Sequence, residues 1–261
     1  MTDLLAYLVL GGVAGVLAGL LGVGGGLVIV PGLLWVFRAH GFDEASVVHL
    51  AVGTSLATII PTSLSSIRAH HRRGAVLWPV VARLAPGIVV GAWLGAAIAD
   101  RLATAWLQRV VGVFALVVAL QMLMGERAEA RRVLPGSVGL AAVGTGIGTL
   151  SGLVGIGGGS MTVPFLTWCG VDIRRAVATS AACGFPIAVA GAIGFTVAGW
   201  RDAGLPPGST GYLYWPALAG VALASVLTAP LGARLAHTLP VVALKRVFAA
   251  VLVLVGLELL A

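Results

Sequence analysis

Thirteen residues, GLLGVGGGLVIVP at positions 19–31, return 133 residues later as GLVGIGGGSMTVP at 152–164, identical at eight positions. The surroundings are apolar, and each copy ends in Pro. Glycine weakens a helix by about 1 kcal/mol relative to Ala and lets the backbone turn sharply, so each cluster should interrupt the helix that carries it. The chain is a duplication, and one break per half points to a paired substrate site.

With 59% hydrophobic and 10% charged residues among 261, the composition departs from soluble domains, which carry charge on roughly a quarter of their residues. A mean hydropathy of +1.06 places the chain in a bilayer. About 20 apolar residues cross a ~30 Å hydrocarbon core, so there is room for about eight helical segments with short connections. Continuous apolar runs imply helices rather than a β-barrel. Asp3 stands where a cleavable signal would carry basic residues. The basic residues are scattered singly or in pairs at segment ends, which is orientation information and excludes a nucleic-acid partner. Cys169 and Cys183 lack CxxC spacing and read as small buried hydrophobes, so no metal and no cofactor is expected.

Apolar runs cover residues 4–37, 46–67, 76–99 and 104–124, then 137–168, 173–198, 211–236 and 241–260. The polar stretch GERAEARRVLPG at 125–136 separates the two sets. The match extends beyond the glycines. Thr54, Ser55 and Pro61 align with Thr179, Ser180 and Pro186, and Trp78-Pro79 with Trp215-Pro216. Gly95-Ala96 aligns with Gly232-Ala233, and Leu107, Arg109 and Val110 align with Leu244, Arg246 and Val247. Each half is one structural unit.

Charge arbitrates how the Gly-broken segment is routed. If residues 4–37 cross once, the repeats are parallel and loop Arg and Lys divide seven against five, no bias at all. If the glycines are hairpin tips, one face collects nine: Arg68, Arg72, Arg73, Arg127, Arg131, Arg132, Arg174, Arg175 and Arg234. The other face keeps three, Arg38, Arg101 and Arg201. The positive-inside rule favours the second route. The prediction is therefore an all-α polytopic membrane protein of two inverted repeats, each a Gly-broken re-entrant helix hairpin plus three transmembrane helices. The first repeat is 1–124, the cytoplasmic linker 125–136 and the second repeat 137–261, forming one integrated membrane domain. Both termini fall outside. The arms of the first hairpin are unequal, about 27 Å before the glycines and about 16 Å after them, so the depth of the tip stays open.

Two such hairpins entering from opposite faces bring their tips together. The segments starting at Leu27 and Ser160 are then short helices whose N-termini, with unpaired N–H groups and partial positive charge, suit an anion. The candidate binding residues are Gly24, Gly25, Gly26, Gly157, Gly158, Gly159 and Ser160, with Thr54, Ser55, Thr179 and Ser180 as hydroxyl donors from the next span. The alternatives are close helix packing by the glycines and i−4 bonding by the hydroxyls. Arg83, inside the span at 76–99, is a candidate for anion attraction or for snorkelling to the interface. His49 and His237 read as interfacial, and no carboxylate lies deep in a span. A P-loop and a dinucleotide fingerprint are excluded, because no Lys follows either cluster and the third Gly is missing.

The doubled G-x-x-G-[VI]-G-G-G-x-x-x-V-P, each copy followed by Thr-Ser in the next span, resembles the TauE/SafE family of sulfite exporters over residues 8–257. The resemblance implies a multi-pass transporter of the bacterial plasma membrane for a small sulfur-containing anion such as sulfite, sulfoacetate or thiosulfate, working by alternating access. The first copy reads GGGLVIVP and the second GGGSMTVP, so Ser160 and Thr162 make the site asymmetric. An anion channel shares the same pore physics. An intramembrane hydrolase is disfavoured, because GTLSG around Ser151 lacks the GxSxG spacing, and Ser151→Ala should be tolerated. Which anion, the direction, the coupling ion and the oligomeric state, a homodimer included, stay open.

Overall fold

A computed structural model describes residues 2–21, 24–124, 133–235 and 241–260. Ten α-helices are described: α1 (Thr2–Leu21), α2 (Gly26–Ala39), α3 (Val47–His71), α4 (Trp78–Arg101), α5 (Thr104–Met124), α6 (Ser137–Val154), α7 (Gly159–Trp168), α8 (Ile173–Ala198), α9 (Trp215–Leu235) and α10 (Val241–Leu260). Six of them, α3, α4, α5, α6, α8 and α9, are long and apolar enough to cross a membrane. The break expected in residues 4–37 falls between α1 and α2, and the one in 137–168 between α6 and α7. One span starts later than its apolar run. Residues 209–214 form a two-stranded turn, Ser209–Thr210 against Leu213–Tyr214, and α9 begins only at Trp215. Of the linker, residues 125–132 lie outside the described residues, as does His237.

Small residues set the helix pairings. On α4, Gly87, Gly91 and Gly95 lie one turn apart and face the backbone of α6 at Ala141, Thr145 and Thr149, so close that a Cβ at any of them would collide. The reciprocal contact is α1 on α9, where Gly11, Gly15 and Gly19 face Val221, Ser225 and Ala229. Small residues one turn apart let backbones approach, which is how apolar helices gain contact in lipid. The two repeats are thus interlaced: the first helix of each lies along the fourth helix of the other.

Helix directions follow from the same contacts. α1 runs parallel to α9 and α4 parallel to α6, since both members of each pair rise in number together. α3 and α8 are antiparallel, with Leu56 beside Gly191 and Gly53 beside Phe195. α5 and α10 are antiparallel too, Gly112 lying against Gly256 and the Gln108 amide donating to the Leu259 carbonyl. α2 doubles back on α1, because Gly25 sits beside Ala14 and Gly32 beside Leu10. α7 begins likewise, with Gly158 near Ser151 and Ile147 of α6.

Outward faces carry large apolar side chains, among them Leu5, Trp93, Leu120, Leu223 and Leu254. The buried core is Ala, Val, Leu and Ile with a scatter of hydroxyls; among the described residues no Arg, Lys, Asp or Glu is buried. That arrangement suits lipid outside and neutral polar groups inside.

Candidate functional site

The two glycine turns meet. A Cβ built on Gly24 would lie 3.0 Å from the Gly157 Cα, and these two residues occupy the same position of the repeated motif. Gly26 approaches the Gly155 carbonyl too closely to carry a side chain. Each turn is made the same way: Gly25 caps α2 at φ 78° and Gly158 caps α7 at φ 75°. This left-handed conformation costs an L side chain roughly 1–2 kcal/mol, so the motif needs glycine for the turn as well as for the approach.

Among the described residues, the first backbone donors of both short helices take no partner. In α2 the first bonds run from Val28 and Ile29 N–H to the Gly25 carbonyl, at 3.0 and 3.1 Å. In α7 they run from Met161 and Thr162 N–H to Gly158, at 3.1 and 2.8 Å. The N–H groups of Gly26, Leu27, Gly159 and Ser160 precede these bonds, as the first donors of any helix do. The position of the first tip along α1 also follows. α1 runs on for seven residues past Ala14, the level at which α2 starts, so α2 starts part-way along the bundle and its 14 residues make the shorter arm beside the 20 of α1.

The predicted hydroxyls divide into three groups. Ser55 reaches the tips, but its Oγ donates to the Gly155 carbonyl at 2.8 Å, so it holds the second turn in place. Ser160 is buried in the first turn of α7 with an unpartnered Oγ. Thr54 and Thr179 do something else. Thr54 Oγ1 accepts from the Tyr214 N–H at 3.0 Å, and Thr179 Oγ1 accepts from the Leu77 N–H at 3.1 Å. Each therefore receives the backbone entering the fourth helix of the other repeat, α9 or α4. Ser180 is fully buried beside Thr179. Arg83 is exposed on the outer side of α4 and is not brought to the tips.

Two groups were missed, Ser151 and the pair Ser63 and Ser66, while Thr162 was expected beside the tip. Ser151 Oγ is buried without a partner, 3.4 Å from where a Gly158 Cβ would stand, and Thr162 Oγ1 is likewise buried and unpartnered. On α3, Ser63 and Ser66 line a cavity with Ala18, Gly24, Ala181 and Gly184, and Ser66 Oγ has no partner. An unsatisfied buried hydroxyl costs about 1–3 kcal/mol, so such groups mark function or a ligand. Among the described residues no cluster of His, Cys, Asp or Glu suits a metal. What surrounds the tips is therefore a set of neutral donors, able to take an anion without burying a countercharge.

At the end of the bundle where α2 finishes and α3 starts, aromatic rings close the packing. Phe37 stacks on Phe42 at 5.0 Å, and Tyr214 meets both edge-on at 5.6 and 5.3 Å. His49 lies 5.1 Å from the Tyr212 ring while its Nε2 contacts the Ala99 carbonyl at 2.9 Å. The Tyr212 hydroxyl is pushed up to about 12, chiefly by burial and then by the charges of Asp202 and Asp100.

The family model "Sulfite exporter TauE/SafE" matches residues 7–259. A probable membrane transporter protein of Haemophilus influenzae is 36% identical over 260 residues, covering 98% of each chain. Probable membrane transporter proteins of Methanocaldococcus jannaschii and Bacillus subtilis (YunE) are each 29% identical. The first alignment covers 86% of this chain and 80% of the relative, the second 73% and 77%. No solved structure matches the chain.

Proposed function

We propose that this chain, which belongs to the Sulfite exporter TauE/SafE family and is a multi-pass membrane transporter, carries a small sulfur-containing anion by alternating access. The observation that carries the reading is the meeting of Gly24 with Gly157, which brings the starts of α2 and α7 together. A sulfite or sulfonate group presents several oxygens and a delocalised negative charge. The N–H groups of Gly26, Leu27, Gly159 and Ser160, with the Ser160 hydroxyl, supply neutral hydrogen bonds and two converging positive helix ends.

The same reading takes the repeats as inverted about a pseudo-two-fold axis in the membrane plane. Support comes from helix direction: α3 opposes its counterpart α8, and α5 opposes α10. The face bearing Arg68, Arg72, Arg73, Arg174 and Arg175 is then cytoplasmic. Rocking one hairpin bundle against the other exposes the site to each side in turn.

The test is counterflow of radiolabelled sulfite and sulfoacetate in proteoliposomes. Saturable counterflow is expected, and unitary currents in its place would make the protein a channel. Gly25→Val and Gly158→Val should stop flux in protein that still reaches the membrane; unimpaired flux in both refutes the site. Cysteines placed at 41 and 130 should label from opposite faces, and labelling from one face refutes the inversion.

A further inference from the structure

The two halves of the site are not equivalent in the side chains that surround the tips. The cavity beside Gly24 is about 10 Å³, on the order of one water molecule. Its walls are Ala18 of α1, Gly24, Ser63 and Ser66 of α3, and Ala181 and Gly184 of α8. The repeat alignment gives each wall a counterpart: Ser151, Gly157, Ala188, Gly191, Leu56 and Ile59. Where the cavity has two serines the counterpart has Ala and Gly, and where the cavity has Ala181 and Gly184 the counterpart has Leu and Ile. The counterpart space is filled, with Leu56 Cδ1 standing 2.9 Å from where a Gly191 Cβ would be. The substitutions therefore put Ser63 and Ser66 on one side and fill the other with Leu56 and Ile59, where Ser151 stands in place of Ala18.

Resting on the transport reading above, we propose that Ser66 is a substrate-binding residue. Its hydroxyl donates to one oxygen of the bound oxyanion, in the cavity it lines on the stretch of α3 that leads to Arg68, Arg72 and Arg73. Ser66 is 2% exposed, lines this space and has no hydrogen-bond partner among the described residues. Ser63 already gives its hydroxyl proton to the Ile60 carbonyl at 2.9 Å, so Ser66 is the free donor of the pair. Room for about one water is room for one oxygen of a sulfite or sulfonate, the remaining oxygens reaching the N–H groups at the tips. Gly24 and Gly184 keep side chains out of the wall, and a Cβ on Gly184 would already lie 3.0 Å from the Gly157 carbonyl. One turn beyond Ser66, His70 Nε2 rests 3.2 Å from the Gly19 carbonyl, closing the polar stripe toward the arginines. Leu56 and the ring cluster of Phe37, Phe42 and Tyr214 lie on the opposite side of the tips.

Ser66→Ala separates this role from a packing role, because deleting an unpartnered buried hydroxyl should not lower stability. The measurement is sulfite and sulfoacetate counterflow with the melting temperature of the same preparations. The expected result is a KM raised roughly tenfold or more with an unchanged or higher melting temperature, and restoration by Ser66→Thr. The stabilisation that sulfite gives the wild type should shrink in Ser66→Ala. An unaltered KM and sulfite-induced shift in Ser66→Ala, with Gly25→Val inactive, overturns the Ser66 assignment and leaves the tip site standing. Absence of anion counterflow in the wild type overturns both.

Discussion

Gly25 and Gly158 cap α2 and α7 with nearly the same backbone angles, yet alanine should be tolerated unequally at them. Both substitutions carry the cost of an L residue in the left-handed region, about 1–2 kcal/mol. At Gly25 the new methyl also lies 2.8 Å from the Ala14 carbonyl oxygen, a backbone atom that moves only if α1 moves. Forcing that contact adds about 1–2 kcal/mol. At Gly158 the obstructing atom is the tip of Ile187, a side chain free to change rotamer for about 1 kcal/mol or less. Gly25→Ala should therefore lose about 3 kcal/mol and Gly158→Ala about 2. At about 2–4 °C per kcal/mol for a chain of this size, the melting points fall by roughly 6–12 °C and 4–8 °C. The assay is thermal unfolding in detergent followed by tryptophan fluorescence, with Ile187→Val added to each variant. Shortening Ile187 should return part of the loss to Gly158→Ala and nothing to Gly25→Ala, a coupling that a double-mutant cycle reads directly. Equal losses, or rescue of Gly25→Ala by Ile187→Val, would refute this account of the tips.

Thr54→Val and Thr179→Val should each leave a backbone N–H without its acceptor and cost about 1–3 kcal/mol, while the Ser variants stay near wild type in thermal unfolding. Gly12→Ala and Gly146→Ala, at helical positions where an added methyl meets nothing within 4 Å, should stabilise by about 0.5–1 kcal/mol in the same assay. Gly91→Ala, by contrast, should separate α4 from α6 and be recovered in reduced yield on membrane purification. For Tyr212 the native hydroxyl holds its proton to higher pH than the unfolded one. Its contribution is complete below about pH 10 and lost as pH climbs toward 12. A fall in melting temperature over that window should be smaller in Tyr212→Phe.

The duplication, the two helix breaks and the positions of nearly all spans could be read from the sequence, because a Gly cluster in apolar sequence acts locally. The roles of the hydroxyls could not. Thr54 and Ser55 are neighbours on one helix, yet one receives α9 and the other holds the turn at Gly155, a difference made by elements far along the chain. Ser151 looked expendable as part of a failed hydrolase motif, and only the return of α7 along α6 brings it to Gly158. Arg83 stood out as a cation inside a span, but which side of α4 it occupies depends on where α6 and α8 pack. Ser63 and Ser66 belong to a serine-rich helix end whose composition says nothing about facing a cavity.

The interlacing of the repeats has a consequence for biogenesis. About 210 residues separate Gly11 from Val221, the backbone it packs against. At a synthesis rate of roughly 5–20 residues per second, α1 waits about 10–40 seconds in the membrane before its partner emerges. During that interval its glycine face meets only lipid or the insertion machinery. The first half released alone is an orphan by construction, a natural substrate for membrane quality control. The two halves made as separate chains should survive only when translated together.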